Sequence, residues 1–570
     1  MRRTLSYKPH PFEGVVFQYP HPIVGPAHCP PLRPATIWIV ARMLTASVYP
    51  RSAIRRRGLR GGICVARGAG YNALMPIRPR TLLLLILAVY ALLGVLYAVY
   101  TPAWQAPDEP AHYNYIRYLA EQGDFPVLHP GDYPSTFLEE IKGRHFPPDL
   151  SIDPIRYEFH QPPLYYALLA PLFALTGGAL LPLRLASVLL GLGIVWLAYL
   201  VVRQIFPDRP GLALGTAAFV AFLPQHLVTA SQVGNDVLAE LWVALVLFEL
   251  VRWATTPAAV TGAGQEAGWR RLPLWRLGLW SGLALITKTT AYVAVLLLAA
   301  VLVGEAWRRR DAWRALAPLS SAALPALLLA LPWYARDLSV YGWPDFLGLI
   351  RHDTVVTGQL RTAAHIGELG WPAYLSEFVA TTFRSFWGVF GWMGVPMDGR
   401  VYQALGLLCG LAAAGLVGHE IRSRRRPALG RGQRLALRLL AASAVITLLT
   451  YLWYNAQFVQ YQGRYLFTAL IPLGLAFGLG WEEALQQRSS RWLAGLLLVA
   501  SVAMALAARL GGQRLPAWPL ALALGGAVGL AVLPWLPRAL GRWLWALPYL
   551  LLPLLALYGL FGALVPQLAG

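Results

Sequence analysis

Long apolar runs recur along most of the chain, separated by short charged stretches. The first is Thr81–Tyr100, preceded by Arg78 and Arg80. About 20 apolar residues is the length that crosses a bilayer as a helix. This run therefore reads as a span rather than a cleaved leader. Comparable runs follow at Leu185–Val202, Gly211–Val228, Val237–Val251, Ala315–Tyr334, Val401–Leu416, Leu439–Tyr454 and Tyr465–Leu479. Three more lie near 490–508, 516–534 and 543–564. Leu277–Ala306 is interrupted at Thr287-Lys288-Thr289-Thr290, which predicts two short segments meeting near one face. Leu164–Thr176 is too short to cross and suits an interfacial or re-entrant piece. The pattern predicts an all-α polytopic membrane protein of about 13 spans.

Charge orients these spans, because Lys and Arg collect in cytoplasmic loops. Arg203 and Arg209, Arg252, Arg270, Arg271 and Arg276, Arg308–Arg310 and Arg422-Ser423-Arg424-Arg425-Arg426 mark one side. Thr101–Gln161 carries ten acids against four Lys/Arg and reads as outside. A loop of that length is functional or disordered. Its aromatic residues, among them Tyr115, Tyr133, Phe146, Tyr157 and Phe159, argue for order. A second outer loop, Arg336 to Arg400, holds an aromatic amphipathic piece at Phe378–Trp392. Cysteines placed near Tyr133 are expected to react with an impermeant reagent from outside, and those near Arg424 only from inside. The same sidedness for both would overturn the orientation.

Composition agrees: 57% of the 570 residues are hydrophobic and 13% are charged, which excludes a soluble enzyme. The net charge of +21 is uneven, with 13 Lys/Arg and one acid, Glu13, in residues 1–80. A nucleic-acid role for this tail finds no support in periodicity, and the tail leads into a basic cytoplasmic flank. Residues 1–74 read as a disordered extension or a mis-assigned start, with Met43 and Met75 as alternative starts. Cys29, Cys64 and Cys409 show neither a metal spacing nor a disulfide framework.

Candidate chemistry begins just after the first span, at Pro107-Asp108-Glu109-Pro110-Ala111-His112. Ionisable groups at a membrane boundary are costly to place and are functional candidates. Pro110 suits a first helical turn, and Gly123 suits a stop. Between them, Ala111, Tyr115, Tyr118, Leu119 and Gln122 share one side, opposite Asn114, Arg117 and Glu121. This predicts an amphipathic helix at the membrane surface. The alternative for Asp108 and Glu109 is simple capping. His160-Gln161-Pro162-Pro163-Leu164-Tyr165, Asn235-Asp236, Lys288, Arg336-Asp337 and Gln462-Gly463-Arg464-Tyr465 fall on the same side. Lys288 is one of three lysines and interrupts an apolar segment, where a cation needs an anionic partner. Its bland reading is a snorkelling side chain. Asp236 could be a helix cap, and His160 a plain loop residue. Glu109, His112 and His160 could share a divalent cation, but no fuller ligand set is visible.

Taken together, these stretches resemble the GT-C membrane glycosyltransferases, in the protein O-mannosyltransferase, aminoarabinose transferase and RgtA/B/C/D-like group. The resemblance rests on the acidic pair after span one, the His160-Gln161-Pro162-Pro163-Leu164 stretch with its extra Gln161, and Asp236 after the third span. Arg184-Leu185-Ala186-Ser187-Val188 and Gln462–Leu466 add to it. It covers about residues 76–470, leaving C-terminal spans over 471–570. It implies a GT-C-like fold with juxtamembrane helices in the first outer loop. It also implies transfer of a sugar from a polyprenyl-phosphate donor to an acceptor hydroxyl on the outer face. Asp108 is then the expected base, Glu109 its tuning partner and Asp236 an orienting carboxylate. Lys288 and Arg464 would neutralise the phosphate, with His160, Arg336 and Tyr465 as further substrate contacts. Cations at the leaving group make a metal optional, and none is expected. The rival readings are a lipid or polysaccharide flippase, which would want polar residues along a mid-membrane path, and a non-enzymatic membrane scaffold.

Overall fold

The computed structural model describes residues 78–256, 273–309, 312–423, 429–537 and 543–568. The expected extension over 1–74 and Arg424–Arg426 lie outside them. Helices α1 (Pro79–Tyr100), α2 (Glu109–Gln122), α3 (Ser135–Gly143), α4 (Leu164–Leu175) and α5 (Leu180–Ile205) come first. Next are α6 (Pro210–Phe222), α7 (Pro224–Ala230), α8 (Asp236–Thr255), α9 (Leu274–Leu285), α10 (Tyr292–Arg309) and α11 (Ala312–Tyr341). The second loop carries α12 (Leu349–Val355), α13 (Thr362–Leu369) and α14 (Trp371–Trp387). Then follow α15 (Gly399–Ser423), α16 (Arg431–Asn455) and α17 (Leu470–Ala484). Three further apolar segments, Gln487–Leu510, Ala517–Trp535 and Leu544–Leu568, end the described chain. The all-α polytopic class is as expected, but the count of about 13 is not. Among the described residues, nine helices are long and apolar enough to cross, or ten if one bent pair counts as a span.

The differences have local causes. Gly211–Val228 is not one straight helix: α6 and α7 meet at 64°. Leu223 is extended at the break, as the residue before a proline prefers, and Pro224 opens α7 without an N–H. The predicted interruption at Lys288 is present, where α9 ends at Leu285 and a short 3₁₀ turn at Thr289–Ala291 leads into α10. Helix α4 is 12 residues long, in keeping with an interfacial piece.

The core is one large apolar cluster drawn mainly from α1, α5, α6, α8 and α17. Helices α15 and α17 touch through glycines, where a Cβ on Gly415 would lie 2.0 Å from the Gly480 carbonyl oxygen. Small residues of this kind let membrane helices approach closely. The Tyr97 hydroxyl of α1 donates to the Ala556 carbonyl at 2.7 Å, so the last helices pack on the first.

The first outer loop builds a small core of Ala111, Leu138, Ile141, Ile152, Ile155 and Tyr157, joined by Val356 of the second loop. Helix α2 is packed there rather than lying on a surface. Its supposedly polar side is partly interior: Asn114 is buried and donates to the carbonyls of Ile152 and Ile155 at 2.7 and 2.8 Å. The Ile152 carbonyl also accepts from Ile155 N–H at 2.9 Å, so the Asn114 amide ties α2 to a turn of the loop, which explains a polar residue there.

The two ends of the bundle differ in chemistry. Arg209 pairs with Glu482, Arg276 with Glu249 and Arg422 with Glu483 at one end. Asp108, Asp236, Lys288 and Arg464 gather at the other.

Candidate functional site

A cavity of about 550 Å³ opens at that second end. Asp108, His160, Lys288, Arg464 and Tyr465 all line it, so five of the eight candidate residues converge. Asp236 stands just behind, its carboxylate 2.7 Å from the Lys288 ammonium. Aromatic and apolar residues complete the wall, including Tyr292, Leu296, Leu349, Trp392, Trp453 and Tyr454.

Asp108 precedes α2 with φ +68°, the left-handed region that few non-glycine residues enter. Its side chain makes no cap bond, which removes the capping-only reading. Instead Tyr157 donates its hydroxyl to one carboxylate oxygen at 2.8 Å, and Arg464 meets the other at 2.5 Å. Burial alone would push this carboxyl up. The Arg464 guanidinium, aided by His112 and the two hydrogen bonds, holds it down at about 2. Backbone strain of this kind costs about 1–3 kcal/mol and collects at functional sites.

Glu109 faces the other way, which corrects its expected role beside Asp108. It is fully buried, and both its oxygens take hydrogen bonds from Arg184, at 2.8 and 2.6 Å. The amides of Trp104 and Val233 donate to it as well. Arg184 also reaches the carbonyls of Ala98, Thr101 and Pro102, which the end of α1 leaves without helical partners. The acid thus locks α1, α2 and α5 together. Arg184, singled out only as part of a motif, is the cation that makes this lock.

Lys288 is held in place by the chain around it. Leu164 N–H donates to the Ile286 carbonyl at 3.0 Å, docking the start of α4 on the break in α9–α10. The Asn235 amide lies 3.3 Å from the Tyr166 hydroxyl and 3.4 Å from the Thr287 carbonyl. Arg464 depends on Gly463 before it. A Cβ there would sit 2.3 Å from the Phe386 amide nitrogen, so only glycine lets this turn press on α14. Ser385 Oγ fixes the turn by accepting from Gly463 N–H at 2.8 Å. The Arg464 Nε is buried and has no hydrogen-bond partner.

His160 is buried, with Nδ1 3.1 Å from the Tyr157 carbonyl oxygen and its ring 4.4 Å from that of His352. Burial draws both imidazoles down, His160 to about 4 and His352 to about 3, so both are neutral at pH 7. Arg336 is a second correction. It donates to the carbonyls of Phe125 and Pro126 at 2.9 and 2.7 Å, pairs with Asp337 and covers Trp333, outside the cavity wall.

The proposed metal set does not assemble, because Glu109 is held by Arg184 and His112 Nδ1 lies 2.9 Å from the Tyr166 hydroxyl. Among the described residues no cluster of three or more His, Cys, Asp or Glu could hold a metal ion. Sequence reasoning missed Tyr157, Glu158, His352 and Trp392 in the cavity wall. Tyr157 and Glu158 stand two or three residues before His160, and that adjacency was their only signal.

Residues 160–335 match the model of the family described as dolichyl-phosphate-mannose-protein mannosyltransferase. No curated protein matches. Among solved structures, ArnT from Cupriavidus metallidurans bound to undecaprenyl phosphate is 18% identical with a TM-score of 0.45, over 84% of this chain and 76% of that one. The Archaeoglobus fulgidus oligosaccharyltransferase tethered with an acceptor peptide is 14% identical with a TM-score of 0.43, over 84% of this chain and 55% of that one. Over residues 160–335 the chain is thus similar to the mannosyltransferase family, in line with the resemblance read from its motifs.

Proposed function

We propose that this chain moves a sugar from a polyprenyl-phosphate donor to an acceptor hydroxyl on the outer face of the membrane. The observation that carries the reading is the pair of cations, Lys288 and Arg464, in one partly apolar cavity beside Asp108. Arg464 Nε is a buried donor with no partner, and a phosphate oxygen would supply one. The apolar wall at Leu296, Leu349 and Trp453 suits the first units of a prenyl tail. The match to a family named for a dolichyl-phosphate sugar supports the same donor class.

The step is a displacement at the anomeric carbon with inversion. The acceptor O–H bond breaks as its oxygen bonds to that carbon. The bond from carbon to phosphate oxygen breaks, and polyprenyl phosphate leaves with the electron pair. Asp108 takes the proton. Paired with Arg464 it is a weak base. A donor phosphate that draws Arg464 toward itself weakens that pair and restores basicity where the hydroxyl arrives. Lys288 and Arg464 stabilise the charge that develops on the leaving phosphate.

Purified protein in lipid, given a panel of polyprenyl-phosphate sugars, is expected to consume at least one. No consumption of any donor, with hydroxyl acceptors present, would count against the reading. Lys288→Ala is expected to raise the donor KM by roughly 10-fold or more, the size of a lost charge-assisted hydrogen bond. Its melting temperature should change less, and Lys288→Arg should recover part of the activity. Full activity in Lys288→Ala would leave the phosphate to Arg464 alone.

A further inference from the structure

Four carboxylates lie in or around the cavity, and three are committed. Asp108 is held by Arg464 and Tyr157, Glu109 by Arg184, and Asp236 by Lys288. The fourth is Glu158. It lines the cavity and is only 9% exposed, yet its Oε2 has no hydrogen-bond partner. A tight turn fixes it there: Phe159 N–H donates to the Arg156 carbonyl, and Gln161 N–H to the Glu158 carbonyl, at 3.0 and 2.9 Å.

The groups around it come from several elements. Asp108 and His112 face it from the start of α2, Lys288 from the α9–α10 break, and Gln161 from its own turn. Tyr166 of α4 and Tyr454 of α16 lie near enough to feel its charge. Burial raises its carboxyl, Asp108 adds to that, and His112 and Lys288 oppose it. None of these groups satisfies Oε2. A buried polar oxygen without a partner destabilises a fold, and where one persists in a cavity a ligand donor is the natural complement.

The ligand donor has a definable chemistry. An anion such as the phosphate is repelled by a carboxyl oxygen and is already drawn to Lys288 and Arg464. The cavity is therefore divided, cations for phosphate and Glu158 for neutral donors. A polyhydroxylated group supplies such donors. We propose that Glu158 is a sugar-contacting residue whose free Oε2 accepts a hydrogen bond from a hydroxyl of the carbohydrate held in the cavity. This rests on the glycosyltransferase reading above. The hydroxyl belongs to the donor's sugar or to a carbohydrate acceptor.

The test compares the full-length protein in lipid with Glu158→Gln and Glu158→Asp. Binding of polyprenyl phosphate, which has no sugar, is expected to be the same in all three. A donor-sugar contact predicts that Glu158→Gln binds polyprenyl-phosphate mannose, or whichever donor the panel selects, more weakly by roughly 10-fold or more. An acceptor contact predicts instead a similar rise in acceptor KM with donor KM unchanged. Glu158→Asp should recover part of either loss. The ligand-free melting temperature of Glu158→Gln should stay level or rise, because an unsatisfied carboxyl has been removed. A purely structural carboxyl predicts a fall. Wild-type binding of donor, with both KM values and kcat within two-fold in Glu158→Gln, overturns the assignment alone. Wild-type protein that binds neither polyprenyl phosphate nor its sugar-bearing form overturns the reading of the whole site, and this assignment with it.

Discussion

Asp108→Asn is expected to lower turnover by roughly 10²-fold or more, the size of lost general-base catalysis, while the protein stays folded. Asn tolerates the left-handed backbone that residue 108 adopts, so the substitution adds little strain. It keeps an oxygen for the Tyr157 hydroxyl and removes the charge that faces Arg464. No cap is lost, because Asp108 makes none with its side chain. Arg464 is left with one partner fewer, which costs some stability and frees its guanidinium for phosphate. Donor affinity should therefore be unchanged or tighter while the rate collapses. Thermal stability, donor binding and initial rate measured on one preparation separate this from general damage. Near-normal turnover in Asp108→Asn would remove it as the base. Asp236 would then be the next residue to test, although it stands behind the cavity wall rather than lining it.

The adjacent acid is expected to behave in the opposite way. Glu109→Ala strips the carboxylate from a fully buried pair and leaves the Arg184 guanidinium short of its counter-charge. Removing one partner of such a pair costs about 3–5 kcal/mol. Two backbone amides, Trp104 and Val233, lose their acceptor as well. The result should be poor folded yield and a large fall in melting temperature, with any surviving protein keeping much of its turnover per folded molecule. Glu109→Ala combined with Arg184→Leu should cost less than the two single losses added together, because the pair acts as a unit. A stable Glu109→Ala protein with selectively lost turnover would put Glu109 back into the chemistry.

These two neighbours mark how far the sequence could be read. The apolar runs and the Lys/Arg bias carried the fold class, because a bilayer demands helices of fixed length and has few other solutions. Lys288 was legible for the same reason, as a charge where none is cheap. Asp108 and Glu109 could not be told apart, since which carboxylate turns inward depends on Arg184, 75 residues away. Arg336 read as a substrate cation, yet its carbonyl partners at Phe125 and Pro126 lie over 200 residues away in the chain. The run broken at Pro224 read as one straight span, because a length rule carries no information about a bend. Glu158 left no signal beyond its closeness to His160, since an unsatisfied oxygen exists only once the turn at Tyr157–Gln161 has closed around it.

The central claim is that a lipid-linked phosphate sits between Lys288 and Arg464, beside Asp108. An experimental structure of the protein with polyprenyl phosphate bound tests it most directly. The phosphate is predicted within hydrogen-bond distance of Lys288 Nζ and the Arg464 guanidinium, with the prenyl chain running past Leu296 and Trp453. A phosphate bound elsewhere, with the Asp108–Arg464 and Asp236–Lys288 pairs undisturbed, would contradict it.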